Sequence, residues 1–328
     1  MRWASRHLNG GGYKFINLNT HNPLEVVKNL IAIHKLIKHN DIEIVHCHHR
    51  MASLYMRWYN YIWKCPYVYT LHLAPIPSDF AHRLVTSCGY RAIAISKEVR
   101  DFLHNKFRVP ESKISFVLNG VDESKLTPLE DEEKSKIRQE FGIDANKTVV
   151  ALHSRITAVK GQMEVAKAVN MLDAELRKEL VVLCSGEKGG KYYEDLVNFI
   201  NENHLEANFV FCGWRDARSV IGCADLMLLP SFAEGFALNC IEAMFLEIPV
   251  VRSKTAGYLD MAQYVYALDE VTPDCIAKCM MELLSDKNKF QSKIDKAALW
   301  VHGVCTISAM TRNTVAVYHK VLQDYESE

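Results

Sequence analysis

Apolar and polar positions along the chain follow two alternating periods. The short apolar runs KFINL, IEIVHCH, YVYTLH, RAIAIS and ISFVLNG are rich in β-branched and aromatic residues and predict strands. Between them, PLEVVKNLIAIHKLIKHN, with Pro23 near its start, ASLYMRWYNYIW and KEVRDFLHNKF carry apolar residues at helical spacing. A charged stretch, VDESKLTPLEDEEKSKIRQEFGIDANK, follows and predicts a connector containing a helix. A second series then begins: TVVALHS, GQMEVAKAVNML, LVVLCSG, YYEDLVNFINEN, NFVFCG, DARSVIGCA, DLMLLP, ALNCIEAMFL and PVVRS. The tail TISAMTRNTVAVYHKVLQDY reads as a helix.

Strands alternating with helices of this length predict an α/β fold of parallel sheets covered by helices on both faces. Two such series joined by a connector predict two Rossmann-like domains. Ligands of open α/β sheets bind outside the carboxyl ends of the strands, so the residues there carry the functional expectation.

Two strand ends stand out. After DLMLLP the chain reads PSFAEGFALNCIEA, and the turn at Ser231 to Gly235 leads into a helix expected to start near Phe236. The free amides of that first turn make an anion site. Glu234 falls in the turn and Glu242 about two helical turns later, both suited to accept hydrogen bonds from sugar hydroxyls. After TVVALH comes SRITAVKGQ, Ser154 to Gln162, where Arg155 and Lys160 supply two cations and Gly161 lets the backbone turn. A guanidinium fork with an ammonium suits a diphosphate. Either pair alone is more often solvated surface; both at strand ends of one series points to a shared site.

Composition narrows the class. With 49% hydrophobic and 24% charged residues in 328, the chain is globular and long enough for two domains. No apolar run approaches the ~20 residues of a membrane helix, and the amino terminus shows no signal-peptide pattern. Ten cysteines without a CxxC pair suit reduced thiols in a cytosolic protein. Net charge is zero but unevenly placed: residues 1–122 hold 16 Lys and Arg against 8 Asp and Glu, and 10 of the 14 histidines. That basic half suits an anionic membrane surface or a phosphorylated partner, or is uneven surface charge alone.

HCHHRMA, YTLH, AISKEVRDFL, VLNGVD, the Arg155/Lys160 pair, FCGW followed by CADLMLLPS, and EGFALNCIEA occur in that order. The ordered set resembles the retaining GT-B glycosyltransferases of family 4 (group 1). The resemblance implies a fold of two Rossmann-like domains facing across a cleft: 1–122 on the acceptor side, 123–147 as connector, 148–304 binding the nucleotide sugar, and 305–328 as a helix crossing back. It implies that Glu234 contacts the donor sugar, Glu242 the ribose hydroxyls, and Arg155 and Lys160 the departing diphosphate. It places His72 next to the sugar. It implies donor contacts from Gly235, Phe236, Ala237 and Leu238, and puts Gly213, Trp214 and Arg215 near the base.

The implied reaction is retaining transfer from a nucleotide-diphosphate sugar, a UDP-sugar favoured, to a saccharide or lipid-linked acceptor in surface-polysaccharide or lipopolysaccharide assembly. No Asp-x-Asp motif occurs, and the cation pair makes a metal or other cofactor unnecessary. The implied location is cytoplasmic, with peripheral membrane contact through the basic half as a further expectation and no nucleic-acid partner. The family opens with a strand, a glycine-containing loop and a helix; the chain starts past that point, which leaves a non-catalytic nucleotide-sugar-binding module as the alternative. A sugar-nucleotide epimerase lacks the Arg-x4-Lys with E-x7-E combination, and a nicotinamide oxidoreductase needs a GxGxxG after a strand.

Three features keep two readings. HCHH is a metal site or a strand end, with His46 and His48 on one side. YMRWYNYIWK is an interfacial segment or a core helix with its cations turned outward. Arg252 and Lys254 touch a donor or are solvated. The run Gly10-Gly11-Gly12 precedes a strand rather than following one, and reads as a turn.

Overall fold

The computed structural model describes residues 16, 18, 22–79, 82, 86–286 and 288–327. KFINL falls largely outside them and Gly10 to Gly12 entirely, so those two expectations stay at the sequence level. Two compact units divide the chain: Met1–Thr70 with Pro77–Ala92 and Val317–Glu328, and Leu71–Ile76 with Ile93–Ala316.

The elements follow the predicted alternation. Helix α1, Pro23–His39, is opened by the Asn22 side chain, which accepts from Leu24 N at 3.0 Å, with Pro23 in the first turn. Strand β1 is Val45–Cys47, and α2, Arg50–Ile62, follows it. Next come β2, Tyr67–Leu71, and β3, Arg91–Ala94, every residue of which is buried. Helix α3, Lys97–Asn105, starts behind the Ser96 cap, and β4 is Ile114–Phe116. The four strands form one sheet in the order β1-β2-β3-β4, with β1 and β2 parallel.

Inside the first unit, α2 turns its aromatic face inward. Tyr55 and Tyr59 are buried; Asn29 donates to the Tyr55 hydroxyl at 3.2 Å, and His34 shares a hydrogen bond with that of Tyr59 at 3.1 Å. Tyr61 and Ile62 at the helix end stay exposed. His46 and His48 do share a side, with ring centroids 4.0 Å apart. His46 is bonded through both ring nitrogens, to the Tyr318 hydroxyl at 2.6 Å and the Thr70 hydroxyl at 2.7 Å. Among the described residues no group of three or more His, Cys, Asp or Glu is placed to hold a metal ion.

The connector carries α4, Asp131–Glu140. The second series runs β5 Thr148–His153, α5 Gln162–Met171, α6 Ala174–Glu179, β6 Leu180–Ser185, α7 Lys191–Glu202 and β7 Phe209–Gly213. It continues with α8 Ala217–Gly222, β8 Leu226–Leu229, α9 Leu238–Phe245, β9 Val250–Ser253, α10 Tyr258–Met261 and β10 Tyr266–Leu268. Helices α11 Pro273–Ser285, α12 Ile294–Val304 and α13 Ile307–Glu326 complete the described chain. The sequence reading leaves α6, β10, α10, α11 and α12 unassigned. Strand β10 is too short for an alternation signal, whereas α11 carries a Thr272 cap and Pro273 that mark a start.

The second sheet is six-stranded, in the order β10-β9-β8-β5-β6-β7, with every pair parallel. Alternate residues of β5 and β6 feed two cores. Val150, Leu152, Val182 and Cys184 pack with α5 and α11; Val149, Ala151, Val181 and Leu183 pack with Val220, Cys223 and Ala224 of the α8 side. Burial on both faces is why these strands read as continuous apolar runs. From β5 the chain winds outward through β6 and β7, then returns to lay β8 on the other side of β5. The strand order therefore reverses between β5 and β8, and a crevice opens at their carboxyl ends.

Candidate functional site

Both sequence-marked loops leave from that reversal point. An open cavity of about 380 Å³ lies there. Its lining includes His72, Arg155, Lys160, Glu234, Gly235, Phe236, Ala237 and Leu238, so eight expected residues share one wall. His153, Ser154, Asn239, Asn119 and Ile95 complete it, and none of these five was singled out from sequence. A signal existed for the first two: they stand at the end of TVVALHS, where an open sheet binds ligands.

The loops are tied together by backbone and charge. Phe232 N donates to Val159 O at 2.8 Å. Lys160 Nζ donates to Glu234 Oε1 at 2.5 Å, with both side chains largely buried. Asn239 donates to His153 O at 2.9 Å, and Gln162 donates to Arg155 O at 2.9 Å and to the Ser154 hydroxyl at 3.2 Å. These bonds hold the Arg155 backbone while its guanidinium, exposed, takes no hydrogen-bond partner among the described residues. Gly235 is pressed on the His72 carbonyl so closely that a Cβ would stand 1.9 Å from its oxygen. No other residue fits that approach.

Helix α9 begins at Leu238, two residues later than expected, because Ala237 takes a left-handed conformation (φ 61°) and acts as the N-cap. The Cys240 amide donates to Ala237 O at 3.0 Å and to the Asn239 side chain at 3.1 Å, and the residues that open the helix, Ala237 to Asn239, line the cavity at its partial positive end. Cations and amide donors thus converge on one wall with a single carboxylate, Glu234.

Glu242, half-buried, lies outside the cavity lining, and burial pushes its carboxyl above the usual range. The buried Cys240 thiol sits within electrostatic reach of Arg252, Glu234, Lys160 and Glu242, and burial raises it to about 12. His153 is held below the ordinary histidine range by burial, partly opposed by Asp216. Its Nδ1 is buried with no hydrogen-bond partner among the described residues.

Trp214 and Arg215 follow Gly213 at the end of β7. Trp214 is 74% exposed, and its ring centroid lies 6.1 Å from that of His153. Arg215 donates to Trp214 O at 3.1 Å.

Arg252 meets neither expectation held for it. It is fully buried and donates to the carbonyls of Ser253, Thr255 and Ala256, so it is neither solvated nor in the cavity. Lys254 pairs with Asp269 at 2.8 Å.

Comparisons with known proteins bear on family and fold. A family model described as glycosyl transferases group 1 matches residues 133–299, and one described as glycosyltransferase family 4 matches residues 6–125. The UDP-Gal:alpha-D-GlcNAc-diphosphoundecaprenol alpha-1,3-galactosyltransferase of Escherichia coli is 25% identical over 292 residues, covering 80% of this chain and 74% of that protein. A glycosyltransferase of Methanocaldococcus jannaschii is 24% identical over 295 residues, covering 84% of this chain and 75% of that protein. A solved glycosyltransferase from Rickettsia africae superposes with a TM-score of 0.78 at 20% identity, covering 93% of this chain and 84% of that one. Anabaena HepE in complex with UDP gives 0.79 at 20% identity, covering 90% and 82%. At such identity these two likenesses establish the fold: two parallel-sheet α/β domains of the GT-B kind.

Proposed function

Because the chain belongs to the group 1 glycosyl transferases, we propose that it moves a sugar from a nucleoside-diphosphate donor to a saccharide or lipid-linked acceptor, with retention at the anomeric carbon. One observation carries the reading. At the β5/β8 reversal, Arg155, Lys160 and the amides before α9 converge on a single cavity beside Glu234. A diphosphate is the ligand whose charge and size answer that set.

In this reading the anomeric C–O bond to the diphosphate breaks, and the sugar passes through an oxocarbenium-like state. Arg155, Lys160 and the amide donors of Gly235 to Leu238 stabilise the negative charge that collects on the leaving group. Glu234 accepts from sugar hydroxyls, and its bond to Lys160 holds both side chains in place beforehand. His72 lies beside the sugar. The acceptor hydroxyl attacks on the face the diphosphate leaves, and its proton goes to the departing phosphate oxygen, so configuration is retained and no enzyme nucleophile is consumed. The cation pair neutralises the diphosphate, and no step draws on a resident metal. Glu242, outside the cavity lining, is assigned to the ribose hydroxyls, and the Gly213–Arg215 turn to the base.

UDP is the favoured nucleotide. HepE is a structural neighbour solved with UDP and with UDP-glucose, and the Escherichia coli relative is named for a UDP-galactose reaction with a lipid diphosphate acceptor. That relative also supports a setting in surface-polysaccharide assembly. No helix among the described residues is long and apolar enough to cross a membrane; contact with a lipid-borne acceptor is assigned to the basic first 122 residues, from the cytoplasmic side.

The test is calorimetric titration with UDP, GDP and ADP on the chain and on Arg155→Ala. Binding of one nucleotide, much weakened by the substitution, is expected. Equal binding to both proteins overturns the site. Proton NMR of the product formed from the matching sugar donor then reads retention or inversion directly.

A further inference from the structure

Behind the cavity wall, two helices of the second unit meet head to head. Gly257 N donates to Glu98 Oε2 at 2.9 Å and Leu259 N to Glu98 Oε1 at 2.8 Å. In return, Lys97 N donates to Asp260 Oδ2 at 2.9 Å, and Lys97 Nζ to Leu259 O at 3.3 Å. Helix α3 thus supplies a carboxylate to the first turn of α10, and α10 supplies one to α3. Such amides have no acceptor in their own helix, so each bond replaces water at a helix start.

The contact leads to the cavity in one step. Gly257 has φ +83°, and a Cβ there would stand 2.9 Å from both the Cα and the carbonyl oxygen of Phe236. The Gly257 turn therefore lies directly on the Phe236 backbone, which lines the cavity. The neighbouring residue, Gly235, is pressed on the His72 carbonyl. Residues 235 and 236 are held between these two supports, and Glu98 holds one of them.

We propose that Glu98 is a positioning residue for the donor loop. Its two-oxygen grip on the Gly257 and Leu259 amides fixes the turn that backs Phe236. It thereby sets where Glu234, next to that held backbone, meets the sugar. Glu98 touches no substrate. The proposal rests on reading the cavity as the donor site. A second consequence, order in the 234–238 backbone, is independent of that reading.

The test compares the unsubstituted chain with Glu98→Gln and Glu98→Asp. Glutamine keeps the size but offers one oxygen where two amides need acceptors. Aspartate keeps both oxygens on a shorter stem. Affinities for UDP-glucose and for UDP are measured by calorimetry, and amide hydrogen exchange is followed in the segment 234–238. In Glu98→Gln, UDP-glucose affinity is expected to fall roughly tenfold and UDP affinity no more than about twofold, the scale of one lost charge-assisted hydrogen bond felt mainly at the sugar. Exchange at 234–238 is expected to quicken, and Glu98→Asp to recover part of both changes.

An unchanged ratio of the two affinities overturns the proposal. So does an equal loss of both that tracks a lower Tm, the signature of a merely structural role. Should the unsubstituted chain bind neither nucleotide, the donor-site reading fails by itself. Hydrogen exchange then still decides: unchanged protection at 234–238 in Glu98→Gln refutes the positioning role, and faster exchange sustains it. Should Glu98→Gln not fold, Glu98→Asp carries the same readouts with intermediate values.

Discussion

Two arginines end parallel strands or begin strand-end loops of the same sheet, and they have opposite fates. Arg155 follows β5 and stands exposed in the cavity, its guanidinium without a hydrogen-bond partner among the described residues. Arg252, in β9, is fully buried, and three backbone carbonyls, the Thr255 hydroxyl and the Met261 sulfur take its donors. A cation whose donors are all occupied by its own chain braces the loop around it. A cation held in place by its backbone, with its donors open, is available to an anion. Residue type and strand-end location are the same; the bonding differs and separates architecture from ligand binding.

Arg252→Ala would break the comparison most forcefully. It leaves three carbonyls short of a donor in a buried loop and opens a cavity. The expected cost is about 4 kcal/mol, a fall in Tm of roughly 10 °C by calorimetry. A wild-type Tm would show that the buried cation braces nothing.

Lys160→Ala tests the intermediate case, since Lys160 is both paired and in the cavity. Removing it leaves the largely buried Glu234 carboxylate unmatched. Stability is expected to fall by about 2 kcal/mol and nucleotide affinity by roughly tenfold. Denaturant unfolding and calorimetric titration read the two losses separately.

Arg155→Ala sharpens the other pole. Nucleotide affinity is expected to fall about 30-fold, the scale of one charge-assisted fork, while stability moves by no more than ~0.5 kcal/mol. A large stability loss would put Arg155 with Arg252.

The smallest effect concerns His153, at the end of β5 beside Arg155. Burial lowers its pKa in the folded chain. The unfolded chain therefore binds a proton that the folded one refuses, and stability falls as pH drops below the ordinary histidine value near ~6.5. His153→Asn should show a shallower loss of stability between pH 7.5 and pH 5.5 than the unsubstituted chain. Equal slopes would show that other groups carry the acid sensitivity.

The amino-acid pattern by itself determined the alternation of strands and helices, and hence five of the six strands of the second parallel sheet. The reason is local: strands buried on both faces must be apolar throughout, and helices between them must be apolar on one side. Pattern also marked Arg155, Lys160 and Glu234, because strand ends are where such sheets bind ligands. The rest depended on distance through space. Which strand ends meet depends on the reversal at β5/β8, and order in the chain does not show it. His153 and Asn239 join the cavity only because the two loops fold against each other. The length of β10, the burial of Arg252 and the contact between Glu98 and the Gly257 turn carry no periodic signal. Each arises when a neighbouring strand, a segment more than a hundred residues away, or a side chain's own loop satisfies polar groups away from water.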